Sequence, residues 1–390
     1  MQEGEFMKWF FAVLCLLLAV SAFAQNFSGN QTVTGKLEYS AKFSDVDYVG
    51  DGMVYHMLDV YLPKQIKDSY PVVLHTYGSA WSLNNMKEFT DLHTICATLL
   101  NAGYAVVTLN HRASSDAIYP AQLHDLKAAV RFIRANAARF KIDTSFVAMS
   151  GFSSGGHLSS LVATTCGLTE GRAGTVTVDL VGNLGKFTSF SSCIDAASLW
   201  SPPTDIYTMN PIGGVNGTFE GAFIGAEREG NKDKYLVASS PYYASEDDPP
   251  VILFHGTADP VVNKEQSEEL YDSLRIHNVV AELVLVPDGV HGESVMYSDE
   301  NLYKMVRFFD AARVSKANSG FRKTSSIYGG ARVGATRLKN SAESFRVYSL
   351  DGTLVAKTKN LDKSCLKPGT YYVVQVKAQR GVSTQMISVP

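Results

Sequence analysis

Three residues of this chain have the types and the order to do covalent chemistry: a serine held between glycines, an aspartate before a proline, and a histidine in a glycine-punctuated loop. Gly151-Phe152-Ser153-Ser154-Gly155 follows the apolar run Phe146 to Met149 and precedes a helix-like stretch. In that setting a G-x-S-x-G pattern puts the serine on a sharp strand-to-helix turn, with its Oγ exposed above a sheet edge. A Cβ at either flanking glycine would collide with neighbouring backbone at so tight a turn. Backbone N–H groups at the start of the following helix face the place where an oxyanion would develop. Ser153 is therefore the candidate nucleophile, and the N–H of Ser154 a candidate oxyanion donor.

Such a serine needs a base and an acid. Asp259 lies a few residues beyond the apolar run Val251 to Phe254, and His291 lies in Pro287-Asp-Gly-Val-His-Gly-Glu293, again after an apolar run. Catalytic groups of open α/β sheets gather at the C-terminal edge of the strands, where both would sit. The chain has nine histidines. His56, His93, His124 and His277 fall in polar or helix-like stretches and read as solvated. His157 is expected to pack or make a polar contact in the helix after Ser153, and His75, His111 and His255 end strands near the site. His291 follows the acid in chain order after a strand and is the candidate base. The loop after Val72 to His75 contains Gly78, Ser79 and Ala80, small residues that let backbone approach a substrate; the N–H groups of Ser79 and Ala80 are the remaining candidate oxyanion donors. Trp81, Trp200, Tyr207 and Phe223 are aromatic candidates for substrate contact.

The elements that must position these groups are legible as alternation. Short apolar runs at 60–63, 72–75, 105–109, 146–149, 196–200, 251–254 and 281–286 read as strands. Stretches at 90–102, 121–140, 155–165, 264–277 and 301–313 read as helices, several with apolar residues at i, i+3, i+4 spacing. Strands alternating with helices imply an α/β class fold, a doubly wound, mostly parallel sheet covered on both faces. Residues 167–190 and 208–242, between the serine and the acid, are expected to form a partial lid. Residues 314–326 are polar and aperiodic and read as a linker. The segment 327–390 alternates apolar and polar residues with turns at Asp351-Gly352 and Pro368-Gly369, the pattern of a small all-β module without chemistry of its own.

The 390 residues suit one large domain, here 25–313, plus a small one. A hydrophobic content of 45% supplies a sizeable core, and a net charge of −3 with mixed signs argues against nucleic acid as a partner. Lys8, the apolar run Trp9 to Val20 and Ala22-Phe23-Ala24 read as a signal peptide over 1–24, too short to span a bilayer. The expectation is an exported protein, periplasmic, cell-surface or secreted, with no integral membrane segment after cleavage. Export places Cys96, Cys166, Cys193 and Cys365 where disulfides persist. Cys166 and Cys193 flank one polar loop that a disulfide would clamp, although pairing cannot be deduced from sequence and each also reads as a small buried hydrophobe. No Cys/His spacing suggests a metal site, and no cofactor is expected.

The order Ser153, Asp259, His291 is that of the α/β-hydrolase triad. Leu58-Asp-Val-Tyr-Leu-Pro63, Gly78-Ser-Ala-Trp81, Leu109-Asn-His-Arg112, Tyr119-Pro-Ala-Gln122, Asp125-Leu-Lys-Ala-Ala-Val-Arg131, Gly151 to His157, His255-Gly-Thr-Ala-Asp-Pro-Val-Val262 and His291-Gly292 extend the match over about 40–313. Together they resemble the α/β-hydrolase-3 branch near the hormone-sensitive-lipase-like carboxylesterases, and most closely the subfamily with bacterial feruloyl and acetylxylan esterases. The family's oxyanion motif H-G-G-G-W here reads Tyr77-Gly78-Ser79-Ala80-Trp81, which alters the donor loop. The resemblance implies a serine carbohydrate esterase acting on acylated plant cell-wall polysaccharide or oligosaccharide, with a general carboxylesterase of small acyl esters as the alternative. A prolyl-oligopeptidase-type peptidase would share the triad order but normally carries an upstream propeller, and a non-catalytic hydrolase-fold adhesion protein would be expected to lack a triad member. More loosely, the last stretch resembles C-terminal sorting modules of exported enzymes, which implies the export machinery as a partner; a carbohydrate-binding role is the other reading.

Overall fold

The computed structural model describes residues 37–89, 91–214 and 217–319, and the backbone of four further strands between 344 and 389. The signal-like segment and most of the expected linker lie outside the described residues. The chain enters through β1 (Ala41–Asp47), β2 (Met57–Leu62) and β3 (Tyr70–Thr76). A π-helical turn (Leu92–Cys96) leads into α1 (Ala97–Asn101), then β4 (Ala105–Leu109), α2 (Ala121–Ala135) and β5 (Ile142–Phe152). After α3 (Ser154–Thr164) come a hairpin, β6 (Glu170–Ala173) and β7 (Val176–Asp179), and then β8 (Ala197–Trp200). A segment with β9 (Gly213–Gly214), β10 (Gly217–Thr218), α4 (Phe219–Ile224) and α5 (Lys232–Leu236) follows. The domain closes with β11 (Val251–Gly256), α6 (Glu265–Ile276), β12 (Ala281–Val286) and α7 (Asp299–Ser319).

Eight strands form one sheet in the order β1-β2-β4-β3-β5-β8-β11-β12. The pairs β1/β2 and β2/β4 are antiparallel and the others are parallel, so the expected mostly parallel sheet carries an antiparallel edge. Successive side chains of a strand point to opposite faces. Val72, Leu74, Val147, Met149 and Leu199 accordingly meet α2, α3 and α6 on one side, through Leu126, Leu158 and Leu270 among others. Val73, Val106, Phe146, Ala148 and Phe254 meet α1 and α7 on the other, through Leu99, Met305 and Phe309. Burial on both faces explains why these strands are runs of apolar residues without alternation.

Several boundaries differ from the sequence reading. The helix read over 90–102 begins only at Leu92, because Asp91 has a left-handed backbone (φ 58°). The helix read over 121–140 stops at Ala135, where Asn136 leaves helical geometry and returns its side-chain amide to the Phe132 carbonyl. The linker boundary at 313 is corrected: α7 runs on to Ser319, and Lys316 reaches back to the Asp195 carboxylate at 2.6 Å. The strands β13 (Ser344–Ser349), β14 (Leu354–Thr358), β15 (Gly369–Lys377) and β16 (Gly381–Val389) form a separate antiparallel sheet in the order β14-β13-β15-β16.

Candidate active site

Ser153 stands between the end of β5 and the start of α3, with φ 52° and ψ −124°. A non-glycine residue there carries strain of roughly 1–3 kcal/mol, so the surroundings must enforce it. They do so by close approach. A Cβ on Gly151 would lie 2.3 Å from the Gly155 carbonyl oxygen, and one on Gly155 would lie 2.2 Å from that of Thr76. The Ser153 N–H is tied to the Trp200 carbonyl at 2.8 Å. The turn therefore fits only if glycines flank it, and the serine hydroxyl is left facing the loops after β11 and β12.

The first of these loops supplies Asp259 and the second His291. A Cβ on Gly256 would meet the Gly289 carbonyl oxygen at 2.1 Å, so the end of β11 and the histidine loop are held in contact. Asp259 Oδ1 accepts from the N–H groups of Val261 and Val262, both at 2.9 Å, and its Oδ2 accepts from His291 Nδ1 at 2.8 Å. With Nδ1 donating, His291 Nε2 is the acceptor for Ser153 O–H, 2.9 Å away. Burial by itself would raise the Asp259 carboxyl, but the hydrogen bond and charge of His291, with the two backbone donors, hold it below the usual carboxylate range. The three candidates from the sequence thus form one hydrogen-bonded chain. His255 sits behind it, 3.5 Å from Asp259 Oδ2, with Nε2 donating to the Val262 carbonyl and Nδ1 accepting from Ser267.

The donor loop lies against the serine: a Cβ on Gly78 would come within 2.7 Å of Ser153 Cβ. Ala80 and Trp81 both have left-handed backbones, φ 48° and 56°. The Ser79 N–H is committed to Ser154 Oγ at 2.9 Å, a partner the sequence reading did not foresee. The Ser154 hydroxyl thus occupies one of the three candidate oxyanion donors.

The aromatic candidates are corrected. Trp81 and Trp200 are fully buried, as is Phe223. Trp200 is stacked on Phe254 at 4.0 Å, and its Nε1 donates to Ser198. Trp81 is stacked on Phe223 at 4.8 Å. Neither tryptophan keeps a free face for a substrate ring; Tyr207 is half-buried and packs against the core from its rim. His56, read as solvated, is also buried, between the Asp51 and Asp125 carboxylates. His75 pairs with Asp91 and His111 stacks on Tyr77, so neither joins the triad. Cys166 and Cys193 form a disulfide and Cys96 is buried and free. Among the described residues no group of three or more His, Cys, Asp or Glu is placed to hold a metal.

Of the two stretches read as a partial lid, 208–242 is tied to the core by hydrogen bonds. The Tyr119 N–H donates to the Phe223 carbonyl at 2.8 Å, and the hydroxyls of Tyr119 and Tyr243 donate to the Val237 carbonyl, both at 2.7 Å. His157 Nε2 donates to the Ala238 carbonyl at 2.7 Å, and its Nδ1 accepts from Trp81 Nε1 at 3.1 Å. The signal for this connection was a histidine four residues after the nucleophile, with Gly155 and Gly156 between.

The chain is similar to known proteins in family, sequence and fold. Residues 58–274 match the family described as BD-FAE. A truncated carbohydrate esterase from gut microbiota superposes with a TM-score of 0.68 at 37% identity, covering 72% of this chain and 99% of that one. A bifunctional GH43-CE protein of Bacteroides eggerthii superposes with a TM-score of 0.67 at 44% identity, covering 70% of this chain and 35% of that one. Esterase LipQ of Mycobacterium tuberculosis is 25% identical over 240 residues, 61% of this chain and 53% of that protein. The chain spans about half the length of the curated relatives it matches. The chain belongs to the BD-FAE family of hormone-sensitive-lipase-like α/β-hydrolases.

Proposed function

We propose that this protein is an exported serine esterase that removes acetyl or feruloyl groups from plant cell-wall xylan. The observation that carries the hydrolase reading is the hydrogen-bonded chain Ser153–His291–Asp259 beside the Gly78 loop. Ser153 Oγ attacks the ester carbonyl while His291 Nε2 takes its proton. His291 then protonates the departing alcohol oxygen, and water, deprotonated by the same nitrogen, resolves the acyl-enzyme. Asp259 fixes the tautomer with the proton on Nδ1 and stabilises the imidazolium. The Ala80 and Ser154 N–H groups stabilise the tetrahedral oxyanion, joined by Ser79 N–H when it turns from Ser154 Oγ.

The carbohydrate substrate is supported by the structural relative named as a carbohydrate esterase, 37% identical over the aligned residues, beside the bifunctional GH43-CE protein at 44%. Export is supported by the signal-like N-terminus and by the Cys166–Cys193 disulfide, a bond that persists in oxidising compartments. The test is a panel of acetylated xylan, methyl ferulate, short p-nitrophenyl esters and peptide amides, run beside Ser153→Ala. Release of acetate or ferulate by the wild type alone is the expected result. Hydrolysis of p-nitrophenyl butyrate with no release from xylan would replace the substrate assignment with a general carboxylesterase. Ester hydrolysis at the wild-type rate in Ser153→Ala would end the serine mechanism.

A further inference from the structure

The donor loop has an anchor that the triad does not use. Trp81 closes the loop 78–81 with a left-handed backbone, and its carbonyl accepts from the N–H and hydroxyl of Ser114 at 2.7 and 3.0 Å. Its indole N–H can only donate, and it donates to His157 Nδ1. The opposite ring nitrogen, Nε2, faces a carbonyl, that of Ala238, which can only accept. These two partners allow one form of the imidazole, neutral with its proton on Nε2. The ring is fully buried, edge-on to Trp81 at 5.3 Å and to Phe223 at 5.6 Å. Burial accordingly pushes its pKa down to about 4, with the Ala238 carbonyl opposing.

His157 therefore joins three parts of the site: the donor loop through Trp81, the nucleophile through α3, and the segment 219–243 through Ala238. Ser154, three residues before His157 on the same face of α3, takes the Ser79 N–H. Two side chains one helical turn apart thus hold the two ends of the donor loop. We propose that His157 is a positioning residue, whose neutral imidazole aims the oxyanion donors by fixing Trp81 and registers them to the segment 219–243. The role rests on the esterase reading above. An oxyanion donor acts only where the developing charge appears, and a shift of about 1 Å in such a group costs on the order of a hundredfold in rate. Loss of this tie is therefore read in kcat, with little change in KM.

The experiment uses the full chain and a soluble p-nitrophenyl ester, with folding of each variant checked by circular dichroism and thermal melting. Trp81→Phe keeps the stacked ring and deletes the N–H; it should lower kcat about tenfold to a hundredfold with KM within about twofold. His157→Asn places an amide oxygen near the Nδ1 position, whereas His157→Gln places its amide near Nε2 and leaves Trp81 without an acceptor. Asn should retain most of kcat and Gln should fall as Trp81→Phe does. The double variant Trp81→Phe/His157→Gln should lose no more than either single change, since both remove one interaction. Folded single variants with wild-type kcat, equal kcat for Asn and Gln, or losses that multiply in the double variant would each overturn the role and leave the triad standing. Should Trp81→Phe not fold, the Asn–Gln comparison decides alone. A wild type without turnover on any ester would remove the esterase reading and this role together.

Discussion

Asp259 shows how one side chain can be tested both as a catalytic group and as a structural one. Its Oδ2 sets the tautomer of His291, and its Oδ1 closes a turn over Val261 and Val262. Asp259→Asn keeps the shape and presents the wrong hydrogen-bonding pattern to Nδ1, which in a serine triad costs about 10⁴-fold in kcat. We expect that order of loss on p-nitrophenyl acetate; a loss below about tenfold would remove Asp259 from the triad. The same residue shapes stability against pH. Its folded pKa is held below the unfolded value, so it stabilises the fold above about pH 4, and that contribution is lost as pH falls through the folded pKa. Denaturant melts from pH 7 to pH 2 should show a shallower acid decline in Asp259→Asn than in the wild type. Identical slopes would show that the carboxylate contributes nothing to acid stability.

Among the elements, helix α2 does more than cover the sheet. Lys127, Arg131 and Arg134 lie along one side of it and donate to the carbonyls of Thr165, Leu180, Val181, Leu184 and Cys193. All of those carbonyls but Thr165, the residue before it, belong to the loop that carries β6 and β7 and is closed by Cys166–Cys193, 27 residues apart. Chain-entropy arguments put a disulfide loop of this length at about 3–4 kcal/mol. On that argument Cys166→Ser/Cys193→Ser should lower the melting midpoint by on the order of 5–10 °C. A wild-type midpoint would show that closing this loop contributes nothing to stability. The hairpin itself was not legible in the sequence, because β6 and β7 are short and carry no apolar run. The central strands were legible because burial on both faces turns them into apolar runs. The triad was legible because each member follows such a strand. The role of the tryptophans was not: an aromatic side chain suits a core and a binding cleft alike, and only the stacking of Trp81 on Phe223 and Trp200 on Phe254 decides it.

At the scale of the whole molecule, every group of the proposed chemistry lies between Gly78 and His291. The last buried turns of α7, Phe308, Phe309 and Ala312, complete the core against β5 and β11. The strands β13 to β16 pair in their own antiparallel sheet. A chain ended after Ser319 keeps α7 whole, with the Lys316–Asp195 pair that braces Val147 through the second Asp195 oxygen. It should hydrolyse soluble p-nitrophenyl esters with kcat and KM within about twofold of the full chain, since no group that binds the reacting ester has been removed. A tenfold fall in kcat would make residues 320–390 part of the catalytic unit. Insoluble acetylated xylan separates the two readings of those residues. A carbohydrate-binding module concentrates the enzyme on the polymer, so its removal slows acetate release there while leaving soluble esters untouched. A module that serves only sorting leaves both rates as they were and shows its effect in the cellular fraction where the protein is found.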